Sequence, residues 1–217
     1  PPWWRKALHG DGVVLKPLQG NAGRGVVRFR WGEQGLSQEG LFCKLPQSTP
    51  AWPAAHSADP AALHQHWQRM MRSQEAVLAS PYLNHSSRLP EAHPSVVVRV
   101  LTQQAGPGQS IKVAQAWLEI PLSDGGILFL GLDGRYLPKA GDGFSHQHHQ
   151  VRQQWQQQLM GCGRPLIQAC LDSATAMHAV LPPIDQVAWD WIPAEPEPLL
   201  LEGNGGFGLL VPQVFQH

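Results

Sequence analysis

Short apolar runs set apart by glycine- and proline-rich turns, interleaved with two helical patterns, predict an α+β fold built on antiparallel strands. Two hairpin-like stretches carry the prediction. Near the C-terminus, Val187-Ala188-Trp189-Asp190 and Leu199-Leu200-Leu201-Glu202 are apolar runs joined through a turn holding Pro193, Pro196 and Pro198. Near the N-terminus, Gly12 to Lys16 and Val26 to Trp31 flank a glycine-rich loop in the same way. A length of 217 residues allows one large domain or two small ones, with enough chain to bury a real core.

Composition excludes several classes of function. Charged residues make up 15% of the chain and the formal charge is zero, so electrostatic capture of nucleic acid or of an anionic membrane is not expected. The nine tryptophans are scattered, which reads as core or cleft wall rather than a stacking platform. Cys43, Cys162 and Cys170 form neither a disulfide framework nor a zinc pattern, and a reducing cytoplasm fits them best. No apolar run approaches membrane-spanning length and no signal peptide heads the chain. The first residue is Pro rather than Met, so a fragment or trimmed chain is expected, with an upstream domain beyond it.

In chain order, residues 12–16 read as a strand ending in Lys16, which Pro17 holds extended. Gly20-Asn21-Ala22-Gly23-Arg24-Gly25 follows and leads into the strand Val26 to Trp31. This is no Walker loop, because no GK[ST] and no helix come after it. Glycines nevertheless let main-chain N–H groups approach phosphates, although an ordinary hairpin tip would show the same residues. Residues 32–58 carry scattered Gly, Ser and Pro, with Leu41 to Leu45 as a short strand candidate. Asp59-Pro60 followed by Leu63, Trp67, Met70 and Met71 predicts a helix over 61–79, with 76–82 then turning into a strand.

Val96 to Thr102 is a β-branched run with one embedded arginine, Arg99. Such an arginine needs an anion or an opening to solvent, since an unpaired buried charge is costly. Lys112 to Leu122 and Ile127 to Leu130 read as further strands around a Ser123-Asp124-Gly125-Gly126 turn, and Leu132 to Tyr136 as a turn. Residues 139–158 are rich in His and Gln and read as a mobile loop leading into a helix, with opportunistic metal binding at 145–150 as the weaker option. Arg164 to Val180 is an amphipathic helix. Glu202 and Asn204, two apart, share one face of their strand. With Asp190 turned the same way, three hard oxygen ligands would converge as Mg²⁺ prefers, whereas a plain reading has them as solvated residues at a strand end.

A Lys-ended strand, a glycine loop, an arginine in a central strand and Asp…Glu-x-Asn occur here in that order. The set resembles the ATP-grasp superfamily, and most nearly its sugar-transfer-associated members found with polysaccharide biosynthesis. The resemblance rests on Val14-Leu15-Lys16-Pro17 with Gly20 to Gly25, Pro94 to Thr102, Asp124-Gly125-Gly126, Ala188-Trp189-Asp190 and Leu201-Glu202-Gly203-Asn204. It implies two α+β subdomains, 1–83 and 84–217, whose antiparallel sheets enclose a nucleotide cleft. Lys16 would contact the α/β phosphates and Gly20 to Gly25 would form a lid. The adenine hinge would fall near Leu78 to Leu83, with Ser80, Tyr82, Leu83 and Asn84 contacting the nucleotide. Asp190, Glu202 and Asn204 would hold Mg²⁺, and Arg99 would face the γ-phosphate or an acyl phosphate made from it. Positioning and charge neutralisation are what phosphoryl transfer requires of a protein.

The chain departs from that pattern in three places. Ser80 to His85 lacks the usual acidic ribose ligand, so that either Asn84 or His85 substitutes or nucleotide affinity is reduced; the lid carries Arg24; and only Pro1 to Gly10 precede the grasp region. The implied activity is ATP- and Mg²⁺-dependent ligation, in which a small carboxylate is activated as an acyl phosphate and passed to an amine or similar nucleophile on a sugar-linked or peptide-like acceptor. The alternative is a non-catalytic nucleotide- or partner-binding module on a degenerate grasp fold.

Overall fold

The computed structural model describes residues 3–17, 26–33, 35–40, 77–92, 95–106, 108–122, 127–134 and 146–205. The architecture is mixed α+β with two antiparallel sheets, and the chain divides into two compact units, Pro1–Leu83 and Asn84–His217. The expected lid at 20–25, the strand candidate at 41–45, the 61–76 part of the expected helix and the turn at 123–126 lie outside the described residues.

In the first unit, helix α1 (Trp3–His9) precedes strands β1 (Val13–Pro17), β2 (Val27–Gly32), β3 (Gly35–Gly40) and β4 (Val77–Pro81), which form a sheet in the order β3-β2-β1-β4. Val13, Leu15, Val27 and Phe29 lie on one face and pack with Leu8 of α1. Strand alternation puts Val14, Lys16, Arg28 and Ser80 on the other face. Gly12 admits no side chain, because its φ is 108° and an added Cβ would sit 2.6 Å from the Phe29 carbonyl oxygen. Two expectations need correction here. The strand read over 76–82 is β4, so the helix read over 61–79 does not extend through 77–79, and β3 occupies part of a stretch in which only Leu41 to Leu45 reads as a strand candidate.

In the second unit, β5 (Val97–Gln104), β6 (Ile111–Pro121), β7 (Ile127–Gly131), β8 (Gln186–Ile192) and β9 (Leu199–Asn204) form a sheet ordered β7-β6-β5-β8-β9. Helices α2 (His146–Met160) and α3 (Gly163–Ala179) cover one face. The core joins Val98, Val100, Leu118, Ile120, Leu128, Leu130 and Trp189 to Trp155 and Leu159 of α2 and to Leu166, Ile167, Cys170 and Ala174 of α3. The helix expected within the His- and Gln-rich stretch is α2, and residues 139–145, read as the loop before it, lie outside the described residues. From His146 onward the stretch is helical, and Trp155 and Leu159 anchor that otherwise polar element.

A buried hydroxyl ties this core together. Trp189 Nε1–H donates to Thr102 Oγ1 at 2.8 Å, and His178 Nδ1 lies 2.7 Å from the same oxygen. His178 Nε2 is 2.8 Å from the Ile184 carbonyl, which only accepts, so Nε2 carries the hydrogen between them. One hydroxyl thus links β5, β8 and the C-terminal turn of α3. At the unit's edge, Ser86 Oγ–H donates to Glu195 Oε2 at 2.6 Å and Arg88 Nε pairs with Glu195 Oε1 at 3.1 Å, fastening residues 86–88 to the Pro-rich turn after β8.

Candidate functional site

The sheet of the second unit turns a chemically different face away from α2 and α3. Residues directly opposite each other on neighbouring strands share a face, and the register pairs Trp117 with Arg99, Arg99 with Asp190, and Asp190 with Glu202. One row of side chains consequently crosses β6, β5, β8 and β9. Glu119, two residues beyond Trp117, joins it from β6.

Arg99 is the centre of the row. Its Nε donates to Asp190 Oδ1 at 2.6 Å and its Nη2 to Asp190 Oδ2 at 2.5 Å, a two-pronged fit of guanidinium to carboxylate. Nη1 lies 3.2 Å from Glu119 Oε1, and that same oxygen accepts from Trp117 Nε1 at 3.1 Å. Burial alone would lower the Arg99 pKa. The hydrogen bonds and charge of Asp190, aided by Glu119 and Glu202, outweigh burial and hold it above the ordinary arginine value. Three carboxylates thus stand around one guanidinium. The Arg99 side chain keeps 30% exposure and Asp190 only 8%.

At the outer end, Asn204 Nδ2 donates to Glu202 Oε1 at 3.0 Å. The backbone here is irregular: Asp190 pairs with Glu202 but Trp191 pairs with Leu200, so Leu201 bulges out of the ladder. Without that extra residue, period-2 alternation would put Leu201 opposite Asp190 and turn Glu202 toward Trp189. Gly203 between the two polar residues is also required, since a Cβ there would meet the Trp189 ring at 2.8 Å and 2.9 Å.

The structure therefore brings together Arg99, Asp190, Glu202 and Asn204. Among the described residues no group of three or more His, Cys, Asp or Glu side chains is clustered to hold a metal ion. The donor set at the end of the row is two carboxylates and one amide oxygen, all hard oxygen donors suited to a divalent cation that keeps part of its water shell. The other candidate residues lie in the first unit or at the boundary. Lys16, half-buried, pairs with Leu78 across β1 and β4, and Ser80 pairs with Val14. Tyr82 is anchored by its N–H on the Gly12 carbonyl at 2.9 Å, and the Arg28 guanidinium lies 3.8 Å above its ring. Leu83 and Asn84 stand on either side of the division between units. Gly20 to Gly25 lie outside the described residues.

Sequence reasoning missed Trp117 and Glu119. Their signal was present: an i, i+2 pair on the strand next to the one carrying Arg99, one member acidic. Finding it required the strand register rather than the motif order. Comparison of the chain with protein-family models, with curated proteins and with solved structures found no match. No helix among the described residues is long and apolar enough to cross a membrane.

Proposed function

We propose that the chain is an ATP- and Mg²⁺-dependent ligase of the ATP-grasp kind, which activates a small carboxylate as an acyl phosphate and passes it to an amine or similar nucleophile. The observation that carries this reading is the single cross-strand row Glu119–Arg99–Asp190–Glu202–Asn204. It sets hard oxygen donors beside a fixed guanidinium, the two kinds of group that phosphoryl transfer needs around a triphosphate. Asp190, Glu202 and Asn204 would hold Mg²⁺, which neutralises phosphate charge when bound. Arg99 would bind the γ-phosphate or the acyl phosphate, and Lys16 on β1 would neutralise the α/β phosphates. The acceptor would be sugar-linked, in keeping with a role in polysaccharide biosynthesis in the cytoplasm.

The test is a thermal titration with ATP and a non-hydrolysable analogue, with and without Mg²⁺. A ligand confined to the native state adds about 2.7 kcal/mol at a hundred times its Kd, a readily measured rise in Tm. The rise should require Mg²⁺ and disappear in Glu202→Ala and Asn204→Ala. Carboxylates would then be screened for ATP-dependent phosphate release.

One observation favours the second reading, a binding module without turnover. Both oxygens of Asp190 already accept from Arg99, as they would in a structural ion-pair network. A Mg²⁺-dependent Tm shift with no phosphate release for any carboxylate would establish the module. No shift with any nucleotide, in a folded chain, would remove the ligase.

A further inference from the structure

The same geometry raises a question of occupancy that rests on the metal-dependent reading above. Asp190 would serve a cation, yet the two N–H groups of Arg99, at 2.6 Å and 2.5 Å, occupy one lone-pair direction on each of its oxygens. A cation cannot be added to this arrangement without cost, because it would stand against a guanidinium in contact with the same carboxylate. Arg99, however, has a second anchor. Its Nη1 pairs with Glu119 at 3.2 Å, and Glu119 is itself held by the Trp117 indole N–H. A guanidinium that released Asp190 would remain attached to β6 through Glu119, with Nε and Nη2 free to donate to an anion. Glu202 and Asn204 are already linked to each other at 3.0 Å, across the register from Asp190.

We propose that Arg99 and a divalent cation are alternative partners of Asp190, and that Glu119 is the positioning residue that retains Arg99 when the exchange occurs. In the resting row the arginine guards the carboxylate. On loading, Asp190 turns to the cation and the released guanidinium N–H groups take a phosphate oxygen. Cation and phosphate therefore assist one another's binding, each removing a competitor of the other.

The exchange is tested on the full chain with Mn²⁺ alone, its free concentration read by electron paramagnetic resonance. Arg99→Lys keeps the positive charge but cannot fork onto both carboxylate oxygens. If guarding holds down the fraction of Asp190 able to bind metal, Arg99→Lys binds Mn²⁺ about tenfold or more tightly than the wild type. The gain should vanish in Arg99→Lys/Asp190→Asn. Equal affinity in Arg99→Lys and wild type overturns the proposal. So does a gain confined to Arg99→Met, which reports charge removal alone, or a gain that survives Asp190→Asn. A measurement on the wild type needs no variant to fold: the Arg99 Nε–H resonance should shift as Mg²⁺ is added, and an unmoved resonance at metal saturation overturns the exchange. The outcomes separate from those of the ligase test. Mg²⁺-dependent ATP binding with an undisturbed Arg99–Asp190 pair refutes the exchange and leaves the ligase, whereas exchange without nucleotide binding does the reverse.

Discussion

Thr102→Val isolates one hydroxyl in the core of the second unit. Valine matches threonine in shape, so no cavity opens, and any loss of stability reports hydrogen bonding. Thr102 is fully buried, and its Oγ1 serves Trp189 Nε1 at 2.8 Å and His178 Nδ1 at 2.7 Å. Its removal leaves two buried polar groups without that partner. A stranded buried group costs about 1–3 kcal/mol, so the pair loses roughly 2–6 kcal/mol. The added methyl returns about 1 kcal/mol of apolar burial, leaving a net loss of about 1–5 kcal/mol. Thr102→Ser keeps the hydroxyl and deletes a methyl, which costs only about 1 kcal/mol. Urea unfolding followed by near-UV circular dichroism and tryptophan fluorescence gives both values. The valine variant should be the less stable of the two. If serine proves equal or worse, packing rather than the hydroxyl holds this junction and the reasoning fails.

Three further outcomes are expected. Gly203→Ala should cost about 1–3 kcal/mol, because the new methyl must displace the Trp189 ring or push β9 off β8; urea unfolding measures it, and a neutral result would show that β9 yields freely. His85 has its pKa lowered below 6.5 by burial against the Trp155 side, only partly offset by its bond to the Pro90 carbonyl and the charge of Glu91. The unfolded chain then binds the extra proton, so the stability His85 contributes is complete above about pH 6.5 and is lost as pH falls through the folded value. Stability of the wild type should decline between neutral and mildly acidic pH more steeply than that of His85→Gln; parallel profiles would contradict this. In a Cys43→Ser background, iodoacetamide should modify exposed Cys162 in the native chain. Cys170, fully buried and with its thiol pushed up to about 12 by burial, should react only through unfolding, which mass spectrometry across a urea series would detect.

The strands around Arg99 and Asp190 were legible because each is a β-branched or aromatic run bounded by turn residues, with a charge at a position of known parity. α3 was equally plain from its 3.6-residue apolar spacing. β3 was not, since Gly35 to Gly40 carries too little apolar pattern to mark a strand, and it forms because β2 offers an edge to pair with. The start of α2 was hidden for a similar reason. Its first turns are His and Gln, and the residues that make it a helix, Trp155 and Leu159, lie near its far end. Motif order named Arg99, Asp190, Glu202 and Asn204 one at a time. Their meeting, and the part of Trp117 and Glu119, is a matter of cross-strand register, which no local pattern encodes.

The bulge at Leu201 shows how that register is set. Continuing the regular pairing of Trp191 with Leu200 would bring Leu201 opposite Asp190 and Glu202 opposite Trp189, on the face filled by α3. Glu202 would then set its carboxylate against the Trp189 ring, on the apolar side of the sheet. A carboxylate there would meet the Trp189 ring and leave the row with Arg99 and Asp190, which one irregular step in an edge strand avoids. The chain takes the cheaper arrangement: Leu201, 45% exposed, leaves the ladder, Glu202 turns to the polar face, and Gly203 faces Trp189 with no side chain to crowd it. The spacing of Glu202 from Asp190 on the polar row thus follows from what the opposite face will not accept. The hydrophobic core, as much as any ligand, selects the geometry of the candidate site.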